Sequence, residues 1–193
     1  YSLFDAQNLV IINEIEALPI SLTTALKAFS DKGGAVVFIP SDQGNLKDYN
    51  TFLQRFNTTP FNPILTSQKR ITTINYSHPL YANGVFEKRV DNFQYPKVER
   101  YFPQNNLQAS SILQFEDNKS FLSQKDNLFV FSAPINDTNS NFKNINLIVP
   151  TFYNIAKQSL NTATLYYTIG QNNNYDVAIN LQQDAVLTLV KGD

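Results

Sequence analysis

Hydrophobic and polar positions are most sharply patterned in the first forty residues. Leu9-Val10-Ile11-Ile12 is a short unbroken apolar run, the pattern of a strand covered on both faces. From Pro19 to Lys32 the period lengthens. Leu22, Ala25, Leu26 and Phe29 recur at i, i+3, i+4 and i+7, while Thr23, Thr24, Lys27 and Ser30 fall off that stripe, which predicts an amphipathic helix. Gly33-Gly34 ends it, because a glycine past the last turn takes the left-handed conformation without a Cβ penalty. Ala35-Val36-Val37-Phe38-Ile39 follows as a second all-apolar run, stopped by Pro40. A strand, helix and strand of this length predict a crossover unit with parallel strands, the repeat of doubly wound α/β sheets.

A second helix is expected over Asn45 to Phe56, where Leu46, Tyr49, Leu53 and Phe56 share a face and Asn45 caps the first turn. Asn57 to Pro63 reads as a loop. Short alternating runs then predict strands at Ile71 to Tyr76, Ser111 to Phe115, Ser120 to Ser123 and Leu128 to Ser132. Tyr81 to Gln104 holds no long period; its aromatics predict an insertion packed on the sheet, and Lys88-Arg89 and Lys97 to Arg100, interleaved with Glu87 and Glu99, read as a balanced exposed face. Leu147 to Leu160 returns to helix, with Phe152, Ile155, Ala156 and Leu160 facing inward. After Leu160 the period becomes two, and Ala163 to Gly170, Tyr175 to Leu181 and Ala185 to Val190 read as three antiparallel strands. The expected organisation is an α/β domain over residues 1–160, a mostly parallel, flavodoxin-like sheet flanked by helices, followed by a C-terminal β segment over residues 161–193 that begins a second unit.

Composition narrows the functional classes. With 15 Lys plus Arg against 16 Asp plus Glu, the net charge is -1, so no basic field draws in nucleic acid or an anionic membrane surface. The 15 Phe and 10 Tyr supply core anchors that set the chain apart from disordered sequences, although it carries 24 Asn. There is no Cys, hence no disulfide, thiolate nucleophile or cysteine-based metal site. His78 stands alone in Ser77-His78-Pro79-Leu80, which excludes a multi-histidine metal centre and suits a turn histidine bonded to backbone. No stretch approaches the roughly 18 consecutive apolar residues of a membrane span, and the absence of Met leads to the expectation of an excised piece, any anchor or signal of which would lie outside these 193 residues.

Ligands of open α/β sheets bind beyond the carboxyl ends of the strands. That rule selects Asn13 and Glu14, with Glu16, after the first strand, Ser41 and Asp42, with Gln43, after the second, and Ser132 after the Leu128 strand. Convergent carboxylates there would serve acid–base chemistry or hold a hard cation; dispersed, they are solvated loop acids near helix N-termini.

The segments Asn8-Leu9-Val10-Ile11-Ile12-Asn13-Glu14, Leu26-Lys27-Ala28-Phe29 and Gly33-Gly34-Ala35-Val36-Val37-Phe38-Ile39-Pro40 resemble the class I glutamine amidotransferase-like fold. The order of later segments is similar to the extracytoplasmic region of bacterial BatA-type, aerotolerance-associated membrane proteins. These are Ser77-His78-Pro79-Leu80 with Val85-Phe86, Phe129-Val130-Phe131-Ser132-Ala133-Pro134 with Ser140-Asn141-Phe142, and Ile148-Val149-Pro150-Thr151-Phe152-Tyr153-Asn154-Ile155-Ala156. The resemblance implies a periplasmic or otherwise extracytoplasmic module of an inner-membrane protein, whose spans lie outside this chain. It also implies a lost active site, since Pro40-Ser41-Asp42-Gln43 stands where amidotransferases carry a nucleophilic cysteine turn. The expected function is a non-catalytic scaffold for protein partners of the cell envelope, without cofactor, metal or nucleic acid. The competing expectation is a hydrolase or small-ligand-binding domain using Glu14, Asp42 and their neighbours.

Overall fold

The computed structural model describes residues 1–82, 95–105, 107–160 and 170. The chain divides into two compact units, Tyr1–Asn161 and Thr162–Asp193. The three C-terminal strands expected from the sequence lie outside the described residues, as does much of the insertion expected after Tyr81.

In the first unit the elements run β1 (Leu9–Asn13), α1 (Ile20–Asp31), β2 (Ala35–Ile39), α2 (Leu46–Arg55), β3 (Leu65–Ile74), α3 (Pro79–Ala82), β4 (Lys97–Tyr101), β5 (Ser110–Phe115), β6 (Ser120–Lys125), β7 (Leu128–Phe131) and α4 (Ile148–Ser159). Seven strands form one sheet in the order β1-β2-β7-β6-β5-β3-β4. This corrects the expected mostly parallel, flavodoxin-like sheet. Only β1–β2 and β2–β7 are parallel; β7–β6, β6–β5, β5–β3 and β3–β4 are antiparallel. For β5–β6 and β6–β7 the reason lies in the connections. Asp126-Asn127 joins β6 to β7 with Asp126 at φ 51°, and Glu116 to Lys119 joins β5 to β6 with Asn118 at φ 63°. Turns this short can only reverse the chain, whereas parallel neighbours need a crossover of a dozen residues or more.

The sheet separates two cores. Ala35, Val37 and Ile39 of β2 face one side with Phe129, Phe131, Leu113, Tyr81 and Ile155, under α3 and α4. Val36 and Phe38 face the other with Leu26, Phe29, Tyr49, Phe52 and Leu53, under α1 and α2. The alternation explains why β2 is apolar throughout and buried at every position. Helix α2 begins where expected, with the Asn45 side chain accepting from the backbone N–H groups of Lys47 and Asp48 at 3.0 and 3.2 Å. Gly33 takes φ 97° beyond α1, as its position requires.

Several readings need correction. β1 is not covered on both faces but sits at the sheet edge, with Ile12 buried and Ile11 45% exposed. Thr23, off the predicted stripe, is buried with Oγ1 unpartnered, and Leu160 is exposed. Lys97 to Arg100 is no mere exposed face but the opposite edge strand, β4, which buries Val98 and Tyr101 between its charges. That edge is closed. Asn139 O accepts from the N–H of Glu99, and the Asn139 side chain accepts from Arg100 N and donates to Arg100 O, at 2.9 to 3.0 Å. Asn141 Oδ1 accepts from Lys97 N at 2.7 Å, so the segment after β7 serves as a short surrogate strand.

Candidate functional site

The three neighbouring strands that pair in parallel, β1, β2 and β7, end together at Asn13, Ile39 and Phe131, the place where sheets of this kind receive ligands. After β1 the chain turns at Glu14, whose φ is 51° and whose N–H donates to Ile39 O at 2.9 Å. The turn aims its carboxylate at the loop after β7. Oε1 accepts from the backbone N–H groups of Ile135 and Asn136 at 2.9 and 3.0 Å, and Oε2 accepts from Asn136 Nδ2 at 2.6 Å. Asn136 in turn shapes that loop, its Oδ1 accepting from Thr138 N, Thr138 Oγ1 and Asn139 N.

Beside this strut a groove of about 460 Å³ opens between β1 and α4. Its floor is apolar, made by Ile11, Ile39, Ile135, Ile148 and Phe152, and its rim carries Asn13, Glu14, Asn136 and Lys143. Phe152 is fixed by stacking on Phe131, centroids 5.8 Å apart and planes within 9°. Lys143 pairs with Asp137 at 2.6 Å, and that hydrogen bond holds the Asp137 carboxyl below the usual carboxylate range.

The second acidic position turns elsewhere. Ser41 is buried; its N–H donates to the Tyr49 hydroxyl at 2.9 Å, and its Oγ accepts from Gln43 N at 3.1 Å. Tyr49 donates onward to Ile15 O at 2.5 Å. Burial above all, then the carboxylates of Glu16, Asp42 and Glu14, push the Tyr49 phenol up, against the Ser41 hydrogen bond that lowers it. Asp42 forms an ion pair with Arg100, leaving its side chain only 13% exposed. Ser132 is buried at the end of β7, its backbone bonded to Phe121 and Phe102, and its Oγ has no partner among the described residues.

The structure therefore brings Asn13 and Glu14 into one groove and sends Ser41 and Asp42 to Tyr49 and Arg100. Expecting solvated acids at both positions is corrected: each carboxylate is tied to groups from distant segments. Ser132 does not line the groove. His78 is buried at the start of α3 with Nδ1 accepting from Leu80 N at 3.2 Å, the backbone-bonded turn histidine the sequence indicates. No group of three His, Cys, Asp or Glu among the described residues could hold a metal ion, and no described helix is long and apolar enough to cross a membrane. Sequence reasoning missed Ile11 as a groove residue, Arg100 as the Asp42 partner and Asn136 as the loop organiser. Only the last left a local signal, the Asn-Asp-Thr spacing of an Asx turn.

Neither a family model nor a curated protein matches the chain. Among solved structures it is similar to the β-galactosidase from the psychrophilic Marinomonas ef1, with a TM-score of 0.52 and 8% identity over 79% of this chain and 20% of that one. It is also similar to the mmIFT52 N-terminal domain, with a TM-score of 0.51 and 15% identity over 82% of this chain and 81% of that one. The chain thus spans a fifth of the β-galactosidase. At these identities the likeness is one of fold alone.

Proposed function

We propose that this chain is a non-catalytic interaction module of a membrane-anchored bacterial cell-envelope protein, its sheet serving as a scaffold that docks a protein partner outside the cytoplasm. The observation that carries this reading is the occupation of Glu14. Three fixed donors take up the carboxylate that stands at the strand end, where an enzyme would place an acid or base, so it acts as a strut between β1 and the loop after β7. Asp42 is likewise spent on Arg100. What stays open beside them is an apolar groove, the kind of surface that proteins use for one another. The envelope setting rests on the resemblance in segment order to the BatA-type proteins.

A competing reading, a small-ligand site, draws on the same groove, because it lies at the carboxyl ends of parallel strands. The two separate in one experiment on the full-length protein in its own membrane. A photoreactive side chain at Ile11 is expected to cross-link a discrete envelope protein, while the same group at Thr51, exposed on α2 over the other core, is not. Absence of any adduct at Ile11, together with hydrolysis of ester, amide or glycoside substrates that Glu14→Gln abolishes, would overturn the scaffold reading.

A further inference from the structure

The two edges of the sheet are treated differently. At β4 the chain closes its own edge with Asn139 and Asn141. At β1 it does not. In a parallel ladder the N–H and C=O of one residue point to the same side, and alternate residues point to opposite sides. Asn8 O accepts from Ala35 N and Glu14 N donates to Ile39 O, both at 2.9 Å, so the even-numbered residues face β2. Leu9, Ile11 and Asn13 therefore turn their N–H and C=O groups outward, and no described residue pairs with them.

The groove lies along this same edge, on the sheet face to which Ile11 and Asn13 point. Ile11 is 45% exposed and continues the apolar lining that Ile39, Ile135, Ile148 and Phe152 give the groove. Both charges at the rim are already paired within the chain, Glu14 with the loop after β7 and Lys143 with Asp137, so the groove is matched to uncharged apolar side chains and not to phosphate or lipid headgroups. Outward donors and acceptors repeating every second residue have one macromolecular complement, an extended backbone.

We infer that the β1 edge is the docking site, and that its occupant is an extended peptide segment of a partner protein, which adds a strand beside Leu9, Ile11 and Asn13 and sets an apolar side chain over the groove next to Ile11. This rests on the interaction-module reading above and specifies its partner chemistry. Main-chain hydrogen bonds supply affinity, and the groove selects for apolar residues at alternate positions.

The test uses the whole chain and displayed libraries of twelve-residue peptides, one alternating apolar and polar residues and one of the same composition in blocks. Enrichment from the alternating library alone is expected. Selected peptides are then made in two N-methylated forms, each carrying the methyl group on one alternate set of residues. One form should bind at least tenfold more weakly and the other as the parent does, because only one set faces β1. Ile11→Pro removes an outward N–H that the ladder does not use, a substitution an edge strand tolerates, and should weaken binding at least tenfold. Ile11→Lys keeps the N–H, places a charge over the groove and should do the same; Thr51→Lys should change nothing. Equal binding by both N-methylated forms, or no enrichment, would overturn strand addition, while a surviving Ile11 cross-link would leave the interaction-module reading standing. Self-association in sedimentation that Ile11→Pro abolishes would assign the edge to a second copy of this chain and overturn the proposal as well.

Discussion

Glu14 combines two features that pull on stability in opposite directions. Its left-handed backbone is unfavourable for any residue with a Cβ, and its carboxylate satisfies three donors in the loop after β7. Glu14→Ala keeps the strain and leaves two half-buried backbone N–H groups without an acceptor, so a loss of about 2 kcal/mol is expected. Glu14→Gly forfeits the same bonds but relieves the backbone, and should be less destabilised than the alanine variant by about 1 kcal/mol. Urea titrations of both variants check this; equal stabilities within error would show that the turn is not strained. The acid itself was legible in the sequence as a strand-end residue, but its partners were not, because Ile135 and Asn136 lie more than a hundred residues away and nothing local to either segment announces the other. Arg100, read as part of an exposed face, was invisible as the Asp42 partner for the same reason.

Elements with their own period were readable and those that borrow stability from neighbours were not. Helices α1, α2 and α4 carry apolar stripes and fall within a residue or two of their expected bounds. β4 sets Val98 and Tyr101 among three charges without a strict alternation over only five residues, and the first half of β3 is largely exposed, so neither shows a run of apolar positions. β4 is held by its ladder with β3 on one side and by the segment that seals it on the other. Asn139 is 1% exposed, and its amide accepts from Arg100 N and donates to Arg100 O and Pro134 O. Asn139→Ala strands those backbone groups and is expected to cost about 2 to 3 kcal/mol. It should also unseal the edge, so sedimentation velocity should show self-association that rises with concentration and that the parent chain lacks. A destabilised variant that stays monomeric would confine Asn139 to a packing role.

At the scale of the whole sheet, β1-α1-β2 is a true parallel unit and on its own predicts parallel neighbours, a rule that the short turns of β5–β6 and β6–β7 cannot obey. Global stability, by contrast, can be argued from a few buried groups that titrate. Burial lowers the His78 pKa, and its Nδ1 already accepts from Leu80 N at the start of α3, which is joined to α4 through Asn154 and through the Tyr81–Thr151 hydroxyl pair. With the folded value below the unfolded one of about 6.5, the unfolded chain binds more protons in that interval, so stability falls as pH drops through 6.5 and levels off below the folded pKa. On the alkaline side burial raises the Tyr81 phenol above its ordinary range, and burial with nearby carboxylates raises that of Tyr49. There the unfolded chain loses protons that the folded one keeps, so stability falls as pH rises beyond about 10. Urea midpoints measured across pH should therefore form a plateau between these limits. His78→Asn keeps an acceptor for Leu80 N–H and removes the titration, so its acid limb between pH 6.5 and the folded value should flatten while the alkaline limb remains. Tyr81→Phe should shrink the alkaline limb without removing it, since Tyr49 still contributes. An acid limb unchanged in His78→Asn would mean that the carboxylates alone set it, and that the buried imidazole does not couple protonation to the packing of α3 on α4.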